Sequence, residues 1–480
     1  MNSHPLLRPY LLALALLLAG CAGQDNRQVS LPSPAQDEMQ TASDREHARI
    51  LASYGGLYDA PKLEAMIARI VDRLVAASER PDLKYKIVIL NSPAINAFAL
   101  PNGQLYITRG LIALANDNSE LASVLSHEMA HVIARHAAIR EDQARQSVTI
   151  ATVATEILGD PQLGALALAK SKLALASFSR AQEFEADGIG VGIAARAGLD
   201  PYGAVRFLTA MQRNADLKMQ AGSEGDPRFR DFLSSHPATP DRVKNAQSNA
   251  RQFSGPGTSG GRSRAEYLTQ LDGLVYGEDP GEGFVRGRRF LHPKLGFTFL
   301  APLGFGLENT AQAVLGVKDG GAQALRLDVV RVPAEQSLAD YLRSGWIENV
   351  DPRSIEQFIV NGFPVAGAVA NGEQWTFQLY ALRFGSDVYR FIFAAKQRSA
   401  ESDKSFRESL ATFRRMSLKE ARDARPLRIK IVTVGPADTV PSLARRMPAV
   451  DHAAERFRII NGFGPHDQLR AGELVKLLVE

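Results

Sequence analysis

His127-Glu128-Met129-Ala130-His131 is the stretch on which the reading of this chain turns. On an α-helix the first and fifth residues of such a run lie one turn apart on one face. Both imidazoles therefore reach a single metal ion. Nitrogen and oxygen donors in a roughly tetrahedral shell suit zinc, and a hydrolytic site uses three protein ligands and keeps one position for water. Glu128, beside the first histidine, is placed to take a proton from that water and pass it to a leaving amine. The bland alternative is a surface helix with this pattern by accident, which is rare when histidine is scarce, as it is here with nine in 480 residues. Asp117 can cap the helix, and Glu120 three residues on completes a capping box. Leu121, Val124, Leu125, Val132 and Ile133 would face the core.

A third ligand has to come from elsewhere. No third histidine follows at the spacing that would share the ion, and His136 is at the wrong distance along the helix. Near a helix end, a cation or a solvated ring is its plainer reading. A glutamate on a later helix is the other known solution. Ser179-Arg180-Ala181-Gln182-Glu183-Phe184-Glu185-Ala186-Asp187 supplies one. Glu183 and Asp187 are again four apart and share a face. Glu183 would bind the zinc, and Asp187 would accept a hydrogen bond from a ligand imidazole and fix its tautomer. Glu185 points elsewhere on that helix, toward solvent.

The two motifs together, His-Glu-Met-Ala-His and then Glu-x-Glu-Ala-Asp, resemble the metallopeptidase family that includes HtpX, BepA and the CAAX prenyl proteases. The resemblance covers roughly residues 47 to 250, and Asn96-Ala97-Phe98 with Thr108-Arg109-Gly110 also resemble that family's hairpin ahead of the active helix. It implies a mainly α-helical gluzincin-type domain with a small β-hairpin or sheet. It implies one zinc ion per chain held by His127, His131 and Glu183, with Glu128 as catalytic base. The family also has a His-Pro…Arg stretch after its zinc-binding glutamate, similar to Ser235-His236-Pro237 and Pro240-Asp241-Arg242 here. By that likeness His236 is a catalytic candidate, which would steady the oxyanion or occupy the open zinc position at rest. A Pro-bounded surface turn is its equal alternative. Arg242 would orient nearby carboxylates.

Outward from the motif, the chain divides by composition. Arg8 precedes the apolar run Leu11 to Ala19, which is too short to span a bilayer. The run ends in Leu18-Ala19-Gly20-Cys21 and resembles a bacterial lipoprotein signal. Residues 1–20 would be the signal and Cys21, the single cysteine, the lipidated residue. Ala22, where an Asp would favour the inner membrane, suggests the outer membrane. Residues 21–46 are polar and read as a lipidated flexible tether, and 47–250 as the zinc metallopeptidase domain. Two Ala-rich apolar stretches, 148–158 and 163–176, read as buried helices. Residues 251–264, with Gly255-Pro256-Gly257, read as a linker. Residues 265–420 alternate as strands with one helix, an α+β domain of unknown role in which His292 is a lone turn histidine. Residues 426–480 resemble a degenerate LysM module of βααβ order, with the usual Gly-Asp-Thr interrupted by Pro436-Ala437. The module would tether the chain to peptidoglycan or serve as a structural cap. The expected fold class is therefore multidomain.

A net charge of +4 from 56 basic and 52 acidic residues gives no argument for nucleic acid. The sequence points to a zinc-dependent endopeptidase, lipid-anchored on the periplasmic side of the outer membrane. Its substrates would be unfolded or misassembled envelope proteins. The alternative is an outer-membrane protein assembly factor or chaperone whose binding cleft matters more than cleavage.

Overall fold

The computed structural model describes residues 34–143, 145, 178–220, 236, 240–253 and 261–480, apart from 311–312, 319–320, 345–346, 448–449 and 451. The expected signal, Cys21 and both Ala-rich stretches lie outside the described residues. Met1–Ala48 and Arg49–Glu480 form two units. Helix α1 spans Pro34–Ser53, so helix begins inside the stretch expected to be a tether. Ala, Gln, Glu and Met, good helix formers, fill that stretch.

Helix α2 (Pro61–Ala77) buries Leu63, Met66, Ile67, Ile70, Val71 and Leu74, the stripe its 3.6-residue period lays on one face. Strands β1 (Lys86–Leu90), β2 (Ala97–Ala99) and β3 (Gln104–Thr108) make a sheet in the order β1-β3-β2. The β2–β3 pair is the antiparallel hairpin the sequence suggests, and β1 joins it parallel to β3. Helix α3 (Arg109–Leu114) follows at once, and α4 (Asn118–Ile133) carries the His-Glu motif. Asp117 caps α4 by accepting from the N–H groups of Ser119 and Glu120. Glu120 does not complete the capping box: its carboxylate accepts from Asn116 N at 2.9 Å and meets Arg206 at 3.3 Å.

Helices α5 (Arg180–Arg196), α6 (Gly203–Gln220) and α7 (Pro240–Phe253) complete the helical layer. Among the described residues, no helix is long and apolar enough to cross a membrane.

The helical core does not stop at residue 250. Helix α8 (Gly261–Gln270) straddles the expected 264/265 boundary. Its Tyr267 and Leu268 are buried in the same core as α2 and α4, and the Tyr267 hydroxyl donates to Ile112 O at 2.7 Å. Strand β4 (Val275–Tyr276) then pairs with Leu427–Thr433, which in turn pairs with Leu474–Val479. Between these two strands lie helices Val440–Ala444 and Ala453–Ile460, so the terminal unit runs strand, helix, helix, strand. Its Ile429, Val434, Phe457, Val475, Leu477 and Leu478 belong to the same core as α2 and α4. The buried Lys476 ammonium donates to Ala113 O, Leu114 O and Ala115 O at 2.8, 3.3 and 2.9 Å. These are the orphan carbonyls at the end of α3, where a cation also meets the negative end of the helix dipole.

The sheet-rich region is thus held between two pieces of one core. It contains a seven-stranded antiparallel sheet ordered Glu356–Val360, Phe363–Asn371, Thr376–Phe384, Asp387–Ala395, Gln323–Arg331, Val314–Lys318, Gly306–Asn309. Strand periodicity sorts its faces. Tyr380 and Leu382 pack with Phe297, Phe299 and Phe406 on one side, while Leu379 and Ala381 pack with Leu338 and Leu342 on the other. His292 is buried there and accepts from Leu295 N at 3.3 Å, a turn contact, with no titratable group bonded to it among the described residues.

Because the terminal unit completes the helical core, a chain ending at residue 426 is expected to lose cooperative thermal unfolding by circular dichroism. Lys476→Met, which removes the donor from three buried carbonyls, should lower stability by about 1–3 kcal/mol in urea titrations.

Candidate active site

The site is built where α5 crosses α4. Glu183, Ala186, Asp187 and Gly190 recur at helical spacing and all are buried. Gly190 is where the approach is closest: a Cβ there would lie 3.0 Å from His127 N. Small residues at 186 and 190 let the two backbones come together, and the carboxylates one turn earlier then reach the imidazoles.

His127 Nε2 and His131 Nε2 are 3.1 Å apart, and Glu183 lies 3.5 Å from each. His236 closes the group, its Nδ1 3.2 Å from His127 Nε2 and 2.9 Å from Glu183 Oε1. One donor atom from each of His127, His131, Glu183 and His236 falls within 4.8 Å of all the others, and all four residues are buried. A tetrahedral zinc shell has donor–donor edges of about 3.4 Å, given bonds near 2.1 Å. The observed separations bracket that edge, so the donor set fits zinc in both chemistry and spacing. Burial first, then the positive charge of Arg242, lowers His236 to about 3. Burial likewise lowers His127 and His131. Neutral imidazoles are what a metal requires.

The carboxylates have separate environments. Asp187 Oδ1 lies 3.0 Å from His127 Nδ1, the ring nitrogen turned away from the donor cluster. Arg242 grips Asp187 with two bonds of 2.8 and 2.7 Å and reaches Glu183 Oε2 at 2.6 Å. Burial would raise the Asp187 carboxyl, but the bonds from Arg242 and His127 outweigh it and hold Asp187 at about 2. Glu128 is different. Burial, and then the charge of Glu183, push its carboxyl well above the usual range. It takes a hydrogen bond from the Ala99 N–H, while its Oε1 has no hydrogen bond among the described residues and sits 3.6 Å from His236 Nε2.

All seven site residues expected outside the anchor region, His127, Glu128, His131, Glu183, Asp187, His236 and Arg242, thus meet in one buried cluster. His236 is not in an exposed turn.

Residues 61–250 match peptidase family M48. Curated relatives agree. The putative beta-barrel assembly-enhancing protease of Vibrio cholerae is 33% identical over 216 residues, 43% of each chain. The beta-barrel assembly-enhancing protease of Yersinia pestis is 31% identical over 226 residues, 45% of each chain. The mitochondrial metalloendopeptidase OMA1 of Schizosaccharomyces pombe is 30% identical over 211 residues, 44% of this chain and 58% of that protein. The alignments span less than half the length of these two bacterial relatives.

Three neighbours of the M48 site were not expected from the sequence. His136, expected near a solvated helix end, is buried, with Nδ1 2.9 Å from His131 Nδ1. Phe178 stacks on His131 with ring centroids 4.0 Å apart. Arg140 lies 4.4 Å over that same phenylalanine ring. Extending α4 as a straight helix hides the places of His136 and Arg140, because the chain turns at Arg135, whose φ is +57°.

Arg242 balances two buried carboxylates, so Arg242→Leu should cost about 3–5 kcal/mol, the usual loss when one partner of a buried ion pair is removed. Urea unfolding of the purified chain measures it.

Proposed function

We propose that this chain is a zinc-dependent endopeptidase of the bacterial envelope. The observation that carries the reading is the buried meeting of His127, His131 and Glu183 with Glu128 beside them. A zinc ion held by the two imidazoles and Glu183 would polarise a water and a peptide carbonyl. Glu128 takes the proton of the attacking water and delivers it to the leaving amine nitrogen. Its position beside the donor cluster suits that double role. Asp187, clamped by Arg242, would hold the His127 ring in the tautomer that leaves Nε2 free as a ligand. His236, within the donor set, would serve as a further ligand at rest or as a donor to the oxyanion.

The substrate is proposed to bind as an added strand. Leu100 N donates to Gln104 O and Thr108 N to Asn96 O, so residues 96, 98 and 100 face β3. By alternation Ala97 and Ala99 turn their main-chain groups to the open edge, and Glu128 meets that edge at Ala99. Main-chain pairing selects extended, unfolded segments rather than one sequence. Unfolded or misassembled envelope proteins fit this, and the names of the bacterial relatives point the same way. The lipid anchor at Cys21 and a place on the periplasmic side of the outer membrane belong to the same proposal, resting on the Leu18-Ala19-Gly20-Cys21 run. The βααβ order of residues 426–480 supports a LysM-like unit. Its burial against the peptidase core supports the structural cap over a free peptidoglycan tether.

Glu128→Gln should keep one zinc per chain by elemental analysis and lose at least about a hundredfold in casein cleavage, the lower range for a general base. Cleavage at the wild-type rate would remove Glu128 from the mechanism. Survival of the cellular role in this variant would favour the assembly-factor alternative.

A further inference from the structure

The two imidazoles of the His-Glu motif are backed differently. His127 turns its far nitrogen to Asp187 at 3.0 Å. His131 turns its far nitrogen to another histidine. Helix α4 ends at Ile133, and Arg135 takes a left-handed φ of +57°. That conformation ends helices by reversing the chain direction. Helix resumes over residues 136–143, and the bend folds His136 back beneath His131. The two rings stand 4.9 Å apart at 70°, and their Nδ1 atoms are 2.9 Å apart. On the far side of His136, Nε2 lies 3.3 Å from Glu185 Oε2. His136 is fully enclosed and Glu185 is more than half exposed.

Proton placement follows from these contacts. Two Nδ1 atoms at hydrogen-bonding distance share one proton. His131 Nε2 faces the donor cluster, so it must offer a lone pair if it is to hold a metal. The proton of His131 is then on Nδ1 and is donated to His136 Nδ1. His136 in turn carries its own proton on Nε2 and donates it to Glu185. The opposite direction would put a proton on His131 Nε2 and remove it from the donor set.

We propose that His136, backed by Glu185, is the positioning residue for His131: it accepts the Nδ1 proton, fixes the tautomer and holds the ring plane. The pair does for His131 what Asp187 with Arg242 does for His127. Neither His136 nor Glu185 touches the reacting atoms. This rests on the reading of the site as a zinc centre.

The test uses the full chain and three variants. His136→Phe keeps a ring of similar volume and removes the acceptor. His136→Asn places an amide oxygen near the position of Nδ1 and retains it. Glu185→Ala acts from a mostly exposed position and should leave the fold intact. Zinc affinity is read by competition with a chromophoric chelator, and ligand geometry by the visible spectrum of the cobalt-substituted protein. His136→Phe should weaken zinc about 10- to 100-fold, the range for lost partners of metal-bound histidines, and change the cobalt spectrum. His136→Asn should recover most of the affinity, and Glu185→Ala should lose a smaller part. Wild-type affinity and spectrum in His136→Phe would overturn the proposal, as would equal losses in the Phe and Asn variants. Should His136→Phe not fold, unchanged zinc affinity in Glu185→Ala overturns it alone. A wild-type chain that binds no zinc would sink the zinc reading itself.

Discussion

The active cluster exists because α5 can lie almost backbone to backbone on α4. Gly190 against His127 N, with Ala186 beside it, sets that approach. One turn toward the start of α5, Glu183 and Asp187 then fall among the imidazoles. Bringing two carboxylates into a dry site is costly unless a cation answers them. Arg242 from α7 does so, bonding both Asp187 and Glu183. Three helices far apart in sequence are therefore tied to one geometry, and the low dielectric around them strengthens every contact in it.

Much of this was legible in the chain. Two histidines four apart and two carboxylates four apart are statements about one helix face each, and helix faces follow from local spacing. The β2–β3 hairpin was legible through Asn96-Ala97-Phe98 and Thr108-Arg109-Gly110, by their resemblance to the family's hairpin. What failed was extrapolation past a break. His136 looked misplaced because α4 was continued as a straight helix, and nothing local marks Arg135 as left-handed. Glu120 looked like half of a capping box, but Arg206 from a distant helix holds its carboxylate. Lys476 illustrates the same limit. Lys476 lies in the closing strand, and it is the end of α3, 361 residues earlier in the chain at Ala115, that receives its ammonium. Pattern reports which residues are apolar, not which core they enter.

That limit also explains the domain layout. Composition changes at about residue 265 and again near 426, so two further modules were expected. The chain instead leaves the peptidase core after β4, builds the antiparallel lobe, and returns with Leu427–Thr433 beside β4. The terminal strand–helix–helix–strand unit is part of the core that carries α4.

X-ray absorption at the zinc edge of the purified full chain tests the central claim most directly. The account predicts one zinc per chain, four- or five-coordinate, with nitrogen and oxygen donors at about 2.0–2.1 Å and the outer-shell scattering of at least two imidazoles. A chain that carries no zinc after purification and zinc reconstitution, or whose zinc sits in an all-oxygen octahedral shell, would contradict it.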